Sequence, residues 1–457
     1  MKRRENTMLT GPIGKELLLF FFPILFGTLF QQLYNTVDAM VVGNFVGTNA
    51  LAAVGGSTGT FLNLLTGFMI GLSSGATVVV AQFYGNNNRA MVKKTVASGM
   101  WLAIVLGSIL TVIAFLVSPQ LLRLLNVPDE IFADSLIYLR VYLIGLVPTM
   151  IYNTGAGVLR AIGDSKRPLY FLIVSCITNI VLDIVLVAVC KFGIVGAAAA
   201  TVVSQMASCF LTLRLLSHTD DCYEYQLREF SFDPVILKQI VVIGLPSGIQ
   251  SALYSVANLF VQASVNSFGT STVAAYTAFG KIDATFWNAS GALGQAFMTF
   301  AGQNFGAGNV KRVKKGVKHG ILIYVVGSAL ISTACWLLGP YIFRLFTPDT
   351  AVIEIGMGIL HFICPFWVTF CLVEILSSGI RACGDSVIPT CITAAGIGAF
   401  RIAWIVLYPC ASVYDALFCY PVSWIITSIL FLVYYLQGGW LKRSLARREA
   451  LMNVHKS

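Results

Sequence analysis

Twelve long apolar runs are the feature that most restricts how this chain can fold. Each is close to or above the roughly 20 residues that a helix needs to cross a bilayer. Segments in lipid must satisfy their own backbone hydrogen bonds, and these runs lack the short alternating pattern of barrel strands. With 57% hydrophobic and 11% charged residues, the chain is predicted to be an all-α integral membrane protein with twelve transmembrane helices. The runs lie at about 17–43, 50–81, 95–117, 131–158, 168–190, 193–216, 237–264, 272–300, 317–338, 352–380, 388–408 and 414–436.

The sequence also repeats itself at an offset of 221 residues. Gln82 to Gly85 returns as Gln303 to Gly306, and Arg160 to Ser165 returns as Arg381 to Ser386. The twelve runs divide six and six between the copies. An even number of helices in each half gives both halves the same orientation, so we predict a parallel pair of six-helix bundles, as in duplicated transporters.

Polar connections mark the expected domain boundaries and the orientation. We predict an amino-terminal lobe over residues 1–216, a cytoplasmic linker over 217–236, a carboxy-terminal lobe over 237–436 and a basic cytoplasmic tail over 437–457. Lysine and arginine near helix ends stay on the cytoplasmic side, and here they concentrate in alternate connections. Both termini are therefore expected in the cytoplasm, with the protein in the bacterial inner (plasma) membrane. The basic residues that precede the first run are Lys2, Arg3, Arg4 and Lys15.

Composition and motifs argue against several other functions. The net charge of +10 is spread over loops that flank the membrane, which favours contact with anionic lipid headgroups over nucleic acid. Eleven cysteines without CxxC spacing indicate neither a disulfide framework nor a zinc site. The sequence has no GxxxxGK[ST] loop for ATP, and His319 and His361 lack HExxH spacing, so an enzyme is not expected. We expect no cofactor.

Two carboxylates inside apolar runs are the main candidate functional residues. A charge at a helix centre costs about 2.5–3.5 kcal/mol on insertion scales, so Asp38 and Asp183 need an explanation. With Asn179 and Thr201 they fall at a similar depth below the same membrane surface. Two neighbouring carboxylates in a low dielectric favour a shared proton or a bound cation, so H⁺ or Na⁺ binding is predicted at these four residues. The alternative is a purely structural role, in which they lock the lobe by hydrogen bonds.

Other polar residues within the runs are candidates for lining a substrate cavity. A shift of about 222 residues places Phe260 and Trp404 where the first half has its acids, so ion coupling is expected to be asymmetric. An internal ion pair between Asp283 and Arg401 is an equally good explanation of those two charges. Glu374 either attracts a cationic substrate or faces water. The cavity candidates are Gln31, Tyr34, Asn35, Gln250, Tyr254, Asn258, Lys281, Asp283, Trp287, Glu374 and Arg401.

These motifs resemble those of the multidrug and toxic compound extrusion (MATE) family over essentially the whole chain. The stretch from Leu33 to Gly43, the two Gln-containing segments and the twin Arg-x-x-Gly-Asp-Ser motifs are similar to family motifs. The spacing of Asn179, Asp183 and Thr201 is similar to the prokaryotic DinF and MepA-like branch. The resemblance implies two six-helix lobes in a V and export of varied, often cationic, compounds in exchange for H⁺ or Na⁺. It assigns Asp38, Asn179, Asp183 and Thr201 to the coupling site.

The resemblance has departures. The NorM-like branch has a glutamate where this chain has Tyr254, and its acid in the tenth helix would fall at Phe370, one turn from Glu374. Coupling is therefore expected in the first lobe. The partners implied are small organic substrates and membrane lipids, with the protein a monomer. The alternative function is a flippase for lipid-linked or polysaccharide precursors, for which Lys281 and Arg401 are the only buried cationic candidates.

Overall fold

The computed structural model describes residues 7–226 and 232–454, and its regular elements are all helical. The predicted all-α class is confirmed. Lys2, Arg3 and Arg4, with residues 227–231 of the linker, lie outside the described residues. The helices are α1 (Thr7–Thr10), α2 (Ile13–Phe45), α3 (Thr48–Gly55), α4 (Ser57–Gly85), α5 (Arg89–Leu124), α6 (Asp129–Ile144), α7 (Leu146–Ala161), α8 (Lys166–Asp183), α9 (Gly193–Ser217), α10 (Pro234–Asn266), α11 (Thr270–Gly306), α12 (Val310–Phe346), α13 (Thr350–Ile363), α14 (Cys371–Ala382), α15 (Val387–Thr393), α16 (Phe400–Leu407), α17 (Val413–Leu417), α18 (Cys419–Gln437) and α19 (Gly439–Val454).

Short stretches of other helix types connect some of these elements. A π-helical segment, Ile184–Val189, continues α8, and a second one, Ala394–Ala399, joins α15 to α16. A 3₁₀ segment, Cys364–Phe370, joins α13 to α14. Pro365 at its start removes one backbone donor, which accounts for the local change of helix type.

The predicted membrane runs coincide with these helices. In the described ranges, ten helical spans are long and apolar enough to cross a membrane, and α6 with α7 form an eleventh that is bent by 45°. The remaining run is α11, a continuous helix of 37 residues. It is less apolar than a membrane span usually is, because Lys281 and Asp283 lie in its first half and glycine, glutamine and asparagine recur in its second half. The prediction of twelve membrane helices is therefore approximately met.

The duplication is visible in the helix boundaries. Helices α2 and α10 are both 33 residues long and begin 221 residues apart, at Ile13 and Pro234. The pairs α5 with α12 and α8 with α15 begin at the same offset. The turns of the twin motifs also match, because Gly163 and Gly384 have φ angles of 94° and 95°. A side chain at φ near +95° is strained, which explains glycine in both copies.

The chain forms two compact units. The first unit is Phe22–Gly248, in which α4 and α5 pack against α7 and α8 packs against α9. The second unit contains the described residues up to Phe21 together with those from Ile249 onward. Within it, α11 packs against α12, α13 and α14, and α14 packs against α18.

Both ends of the described chain are fastened within the second unit. The backbone carbonyl of Met8 accepts hydrogen bonds from Asn304 Nδ2 at 3.2 Å and from Arg312 Nη2 at 3.3 Å. At the other end, Arg443 of α19 forms a 3.2 Å ion pair with Asp385 of the second twin motif. The two terminal segments therefore pack onto the connections that carry the duplicated motifs.

Glycines allow α4 and the part of α10 that belongs to the first unit to touch along their backbones. A Cβ atom on Gly71 would lie 2.5 Å from the backbone nitrogen of Gly248, and one on Gly75 would lie 2.8 Å from that of Gly244. Gly71 and Gly75 are one turn apart on α4, and Gly244 and Gly248 are one turn apart on α10. This is the close packing that small residues four apart allow between membrane helices.

Candidate functional site

The four residues of the predicted coupling site come together in the first unit. Asp38 belongs to α2, Asn179 and Asp183 to α8, and Thr201 to α9. The Asp38 and Asp183 carboxyl groups are within hydrogen-bonding reach of each other. Asn179 Nδ2 donates to Thr201 Oγ1 at 3.5 Å, and that hydroxyl donates to the carbonyl of Ala197 at 3.2 Å. Three helices thus supply one continuous polar cluster.

The cluster has too few hydrogen-bond donors. Both carboxylate oxygens of Asp183, Oδ1 of Asp38 and Oδ1 of Asn179 are buried without a hydrogen-bond partner in the described part of the chain. Asn179 and Asp183 have no exposed surface, and Asp38 is 7% exposed. Buried acceptors are normally paired, and uncompensated buried charge is strongly destabilising. The arrangement is therefore suited to take up a proton or a cation.

The backbone changes helix type beside this cluster. Asp183 is the last α-helical residue of α8, and the π-helical segment Ile184–Val189 follows directly. A π-helical turn widens the helix and recurs at functional sites in proteins. The local widening is confined to the part of the helix next to the carboxylate.

The cavity candidates on α2 differ in exposure. Gln31 and Tyr34 are half-buried. Asn35 is exposed, whereas Asp38 on the next turn is buried. The polar face predicted from their spacing thus runs from an exposed position to the buried carboxylate.

A second ionisable centre lies in the second unit around Asp283. Trp287 Nε1 donates to its Oδ2 at 2.8 Å, and Trp367 Nε1 donates to its Oδ1 at 3.1 Å. The Trp367 ring stacks on Phe286 with 4.4 Å between ring centroids. Each carboxylate oxygen therefore has a neutral donor that is itself fixed by packing.

Arg401 is buried in the same unit and has its own partners. Its Nη1 donates to Asn258 Oδ1 at 2.9 Å, and its Nε donates to Ser423 Oγ at 3.0 Å. The guanidinium carbon lies 4.3 Å from the centroid of the Tyr420 ring, which is a cation–π geometry. The expected ion pair between Asp283 and Arg401 is wrong, since none joins them among the described residues. Neutral donors and acceptors satisfy each charge separately.

A third polar group surrounds Gln250 in the second unit. Gln250 Oε1 accepts from Arg381 Nη1 at 3.3 Å, and its Nε2 donates to Thr393 Oγ1 at 3.2 Å. Tyr254 lies one turn further along α10. The arginine of the second twin motif therefore reaches from the last turn of α14 into the helix bundle.

Glu374 and Lys281 differ from what the sequence indicated. The Glu374 carboxylate packs directly against Gly294 of α11, where any side chain would collide with it, and its Oε1 accepts from Ser378 Oγ at 3.5 Å. Glu374 is thus half-buried and does not simply face water. Lys281 was expected to be buried, which is wrong. Its side chain is exposed because Ile282 and Phe286 occupy the packed face of α11.

Sequence reasoning missed Trp367, Tyr420 and Ser423, although each contacts a predicted residue. Aromatic and hydroxyl side chains are common in apolar helices, so their types carry no signal. Arg381 was recognised as part of a repeated motif and interpreted as a residue of a cytoplasmic connection. A long side chain next to a glycine turn can reach back into the bundle, and that is the signal that could have indicated its role.

The fold and these buried centres define a class of protein. A duplicated, multi-pass helical membrane protein with ionisable side chains inside its bundles has the features of a membrane transporter. The MatE family model matches the chain twice, over residues 23–185 and 246–407, one match in each half. The chain belongs to the MatE family, the MATE transporters.

Individual relatives agree with this assignment. The probable multidrug resistance protein YoeA of Bacillus subtilis is 29% identical over 447 residues, which cover 95% of this chain and 96% of that protein. The probable multidrug resistance protein NorM of Thermotoga maritima is 25% identical over 457 residues, with 97% and 96% coverage. A solved outward-facing structure of a multidrug resistance MATE family transporter of the MOP superfamily has a TM-score of 0.85 at 23% identity, covering 99% of this chain and 100% of that one. That likeness concerns the fold.

Proposed function

We propose that the protein is a secondary active antiporter that exports small organic, often cationic, compounds in exchange for H⁺ or Na⁺. The observation that carries the proposal is the set of four buried acceptor oxygens without donors on Asp38, Asn179 and Asp183. The names of the multidrug resistance relatives support the substrate class.

The donor-poor cluster gives a physical basis for coupling. Unloaded, it holds two facing carboxylates whose repulsion raises the free energy of the unit. A proton on either acid, or a hard cation bound by carboxylate, amide and hydroxyl oxygens, removes that repulsion. A ligand shifts a conformational equilibrium only by its difference in affinity for the two states. Loading of Asp38 and Asp183 would therefore favour one access state of the transporter over the other.

The setting follows from the same interpretation. We place the protein as a monomer in the bacterial inner membrane with both termini in the cytoplasm, in contact with lipids and without a cofactor. The flippase alternative has less support because Arg401 is already engaged by Asn258, Ser423 and Tyr420. Only the exposed Lys281 of the two expected cationic groups could meet a phosphate.

The test is transport in proteoliposomes with separately imposed proton and sodium gradients, using ethidium as the exported cation. We expect one of the two gradients to drive export of ethidium by the wild-type protein. Asp38→Asn and Asp183→Asn should each abolish that dependence. Asp134→Asn, on an exposed position of α6, is the matched control and should leave it unchanged. Export that requires ATP, or gradient dependence that survives both substitutions, would refute the proposal.

A further inference from the structure

The second unit has a charge of opposite sign at the position that corresponds to Asp183. Asp183 lies six residues before the end of its span, Lys166–Val189, and Arg401 lies six residues before the end of its span, Val387–Leu407. The spans are 24 and 21 residues long, so a constant offset loses register along them. That is why the sequence offset pointed to Trp404. Measured from the helix ends, the counterpart of the first unit's acid is an arginine.

The partners of Arg401 also correspond to members of the first cluster. Asn258 lies eight residues before the end of α10, and Asp38 lies seven residues before the end of α2. Ser423 lies ten residues after the start of the span Val413–Gln437, and Thr201 lies eight after the start of α9. At a rise of 1.5 Å per residue, each pair agrees in level within about 3 Å. The two centres are therefore built on the same three helices of each repeat.

The chemistry of the two centres is complementary. In the first unit, buried carboxylates and an amide oxygen lack donors. In the second, an amide oxygen and a hydroxyl accept hydrogen bonds from a guanidinium that is 3% exposed, and Tyr420 stacks over it. A permanent cation thus lies where the first unit would require one from solution.

We propose that Arg401 is a resident cation that holds the second unit permanently in the equivalent of the cation-loaded state. Only the first unit then exchanges a coupling ion, so each transport cycle uses one coupling site. This stoichiometry rests on the proposed antiport function. The structural role of Arg401 as a fixed occupant of the repeated site does not.

The first experiment measures thermal unfolding of the purified protein in detergent, which needs no substrate. Arg401→Ala leaves a space shaped for a guanidinium, so we expect a lower Tm than wild type. Guanidinium chloride at tens of millimolar should change the Tm of Arg401→Ala more favourably than it changes the Tm of wild type. Urea, the neutral molecule of the same shape, should show no such difference. Arg344→Ala is the matched control, because that arginine is exposed, and it should show no such rescue.

A second pair of variants covers the case in which Arg401→Ala does not fold. Arg401→Lys keeps the charge, and Arg401→Gln keeps hydrogen-bonding capacity without it. The proposal requires Arg401→Lys to have the higher Tm. Equal stability of these two variants, or equal effects of guanidinium and urea on Arg401→Ala, would overturn the assignment of Arg401 as a cation substitute.

The stoichiometry is tested by transport. The number of coupling ions moved per ethidium, measured from the ion gradient that just balances an ethidium gradient, should correspond to a single site. The transport rate should depend on the concentration of the coupling ion with a Hill coefficient near 1. A Hill coefficient near 2 in wild type would overturn the one-site claim. Absence of ethidium transport together with a positive guanidinium rescue would refute the proposed function and leave the role of Arg401 intact.

Discussion

Trp367 Nε1 donates a 3.1 Å hydrogen bond to Asp283 Oδ1, although 84 residues separate them in sequence. Trp287 donates to the other oxygen from the next turn of the same helix. Hydrogen bonds from neutral donors stabilise the charged form of a carboxylate. The partly buried Asp283 is therefore held by neutral donors, and no ion pair joins it to a basic side chain in the described part of the chain, in contrast to the donor-poor acids of the first unit.

Asp283→Asn should destabilise the protein. An amide offers one oxygen and one nitrogen, so one of the two indole N–H groups loses its acceptor and meets another donor. A buried unsatisfied polar group costs about 1–3 kcal/mol. Thermal unfolding should show the loss. Adding Trp287→Phe should cost less than the sum of the separate effects, because the two residues share one hydrogen bond. Strict additivity would contradict the coupling.

Asp38→Asn and Asp183→Asn should have the opposite effect on stability. In each case the new amide can donate to the remaining carboxylate, and one buried charge disappears. We expect the free energy of unfolding to rise by about 1–3 kcal/mol, the range for a hydrogen bond to a charged group and for relief of a buried charge. Unfolding of both variants should be compared with that of Asp134→Asn, which should behave like wild type. A variant that is both less stable and still coupled would show that the acids have a structural role only.

Gly75→Ala should weaken the contact between α4 and α10. The added methyl group would overlap the backbone at Gly244, so the helices must separate locally. Overpacking of this kind typically costs about 1–3 kcal/mol. Gly327→Ala is the control, because its added methyl group would meet no atom within 4 Å. That variant should be neutral or slightly more stable, since alanine favours helix by about 1 kcal/mol. Similar unfolding curves for both variants would contradict the close approach.

Substitution of the aspartate should have different effects in the two twin motifs. Asp164 Oδ1 accepts hydrogen bonds from the backbone N–H groups of Lys166 and Arg167. These are the first two residues of α8, so Asp164 caps that helix. Asp385 instead accepts from Tyr434 at 2.6 Å and pairs with Arg443 at 3.2 Å. Asp385→Asn should therefore release α19 and speed tryptic cleavage at Arg443. Asp164→Asn should leave that cleavage rate unchanged, and an equal increase in both variants would argue against docking of α19 by Asp385.

Much of the architecture could be predicted because membrane helices follow directly from long apolar sequence. The cluster of the first unit could also be predicted from the sequence, since carboxylates stand out in apolar helices and their depth can be counted from the helix ends. Its roles in coupling stay predictions. The geometry now shows which acceptors of Asp38, Asn179 and Asp183 lack donors, which spacing alone could not give.

The second unit was harder to predict. Helices that are apolar on nearly every face carry little periodic signal, so nothing in the sequence distinguished exposed Lys281 from partly buried Asp283. The supposed pairing of Asp283 with Arg401 was wrong because opposite charges at similar depth need not meet. Neutral partners from four different elements, including Trp367 and Ser423, satisfy them separately.

The weak apolar character of α11 bears on how the protein is made. A helix with a lysine and an aspartate inside its membrane run loses several kcal/mol of the free energy that would carry it alone from the translocon into lipid. Its carboxylate acquires the Trp367 donor only after a segment about 84 residues further along the chain has been synthesised. Stable membrane integration of α11 must therefore wait for later helices, and the second unit is completed cooperatively during biogenesis, not helix by helix.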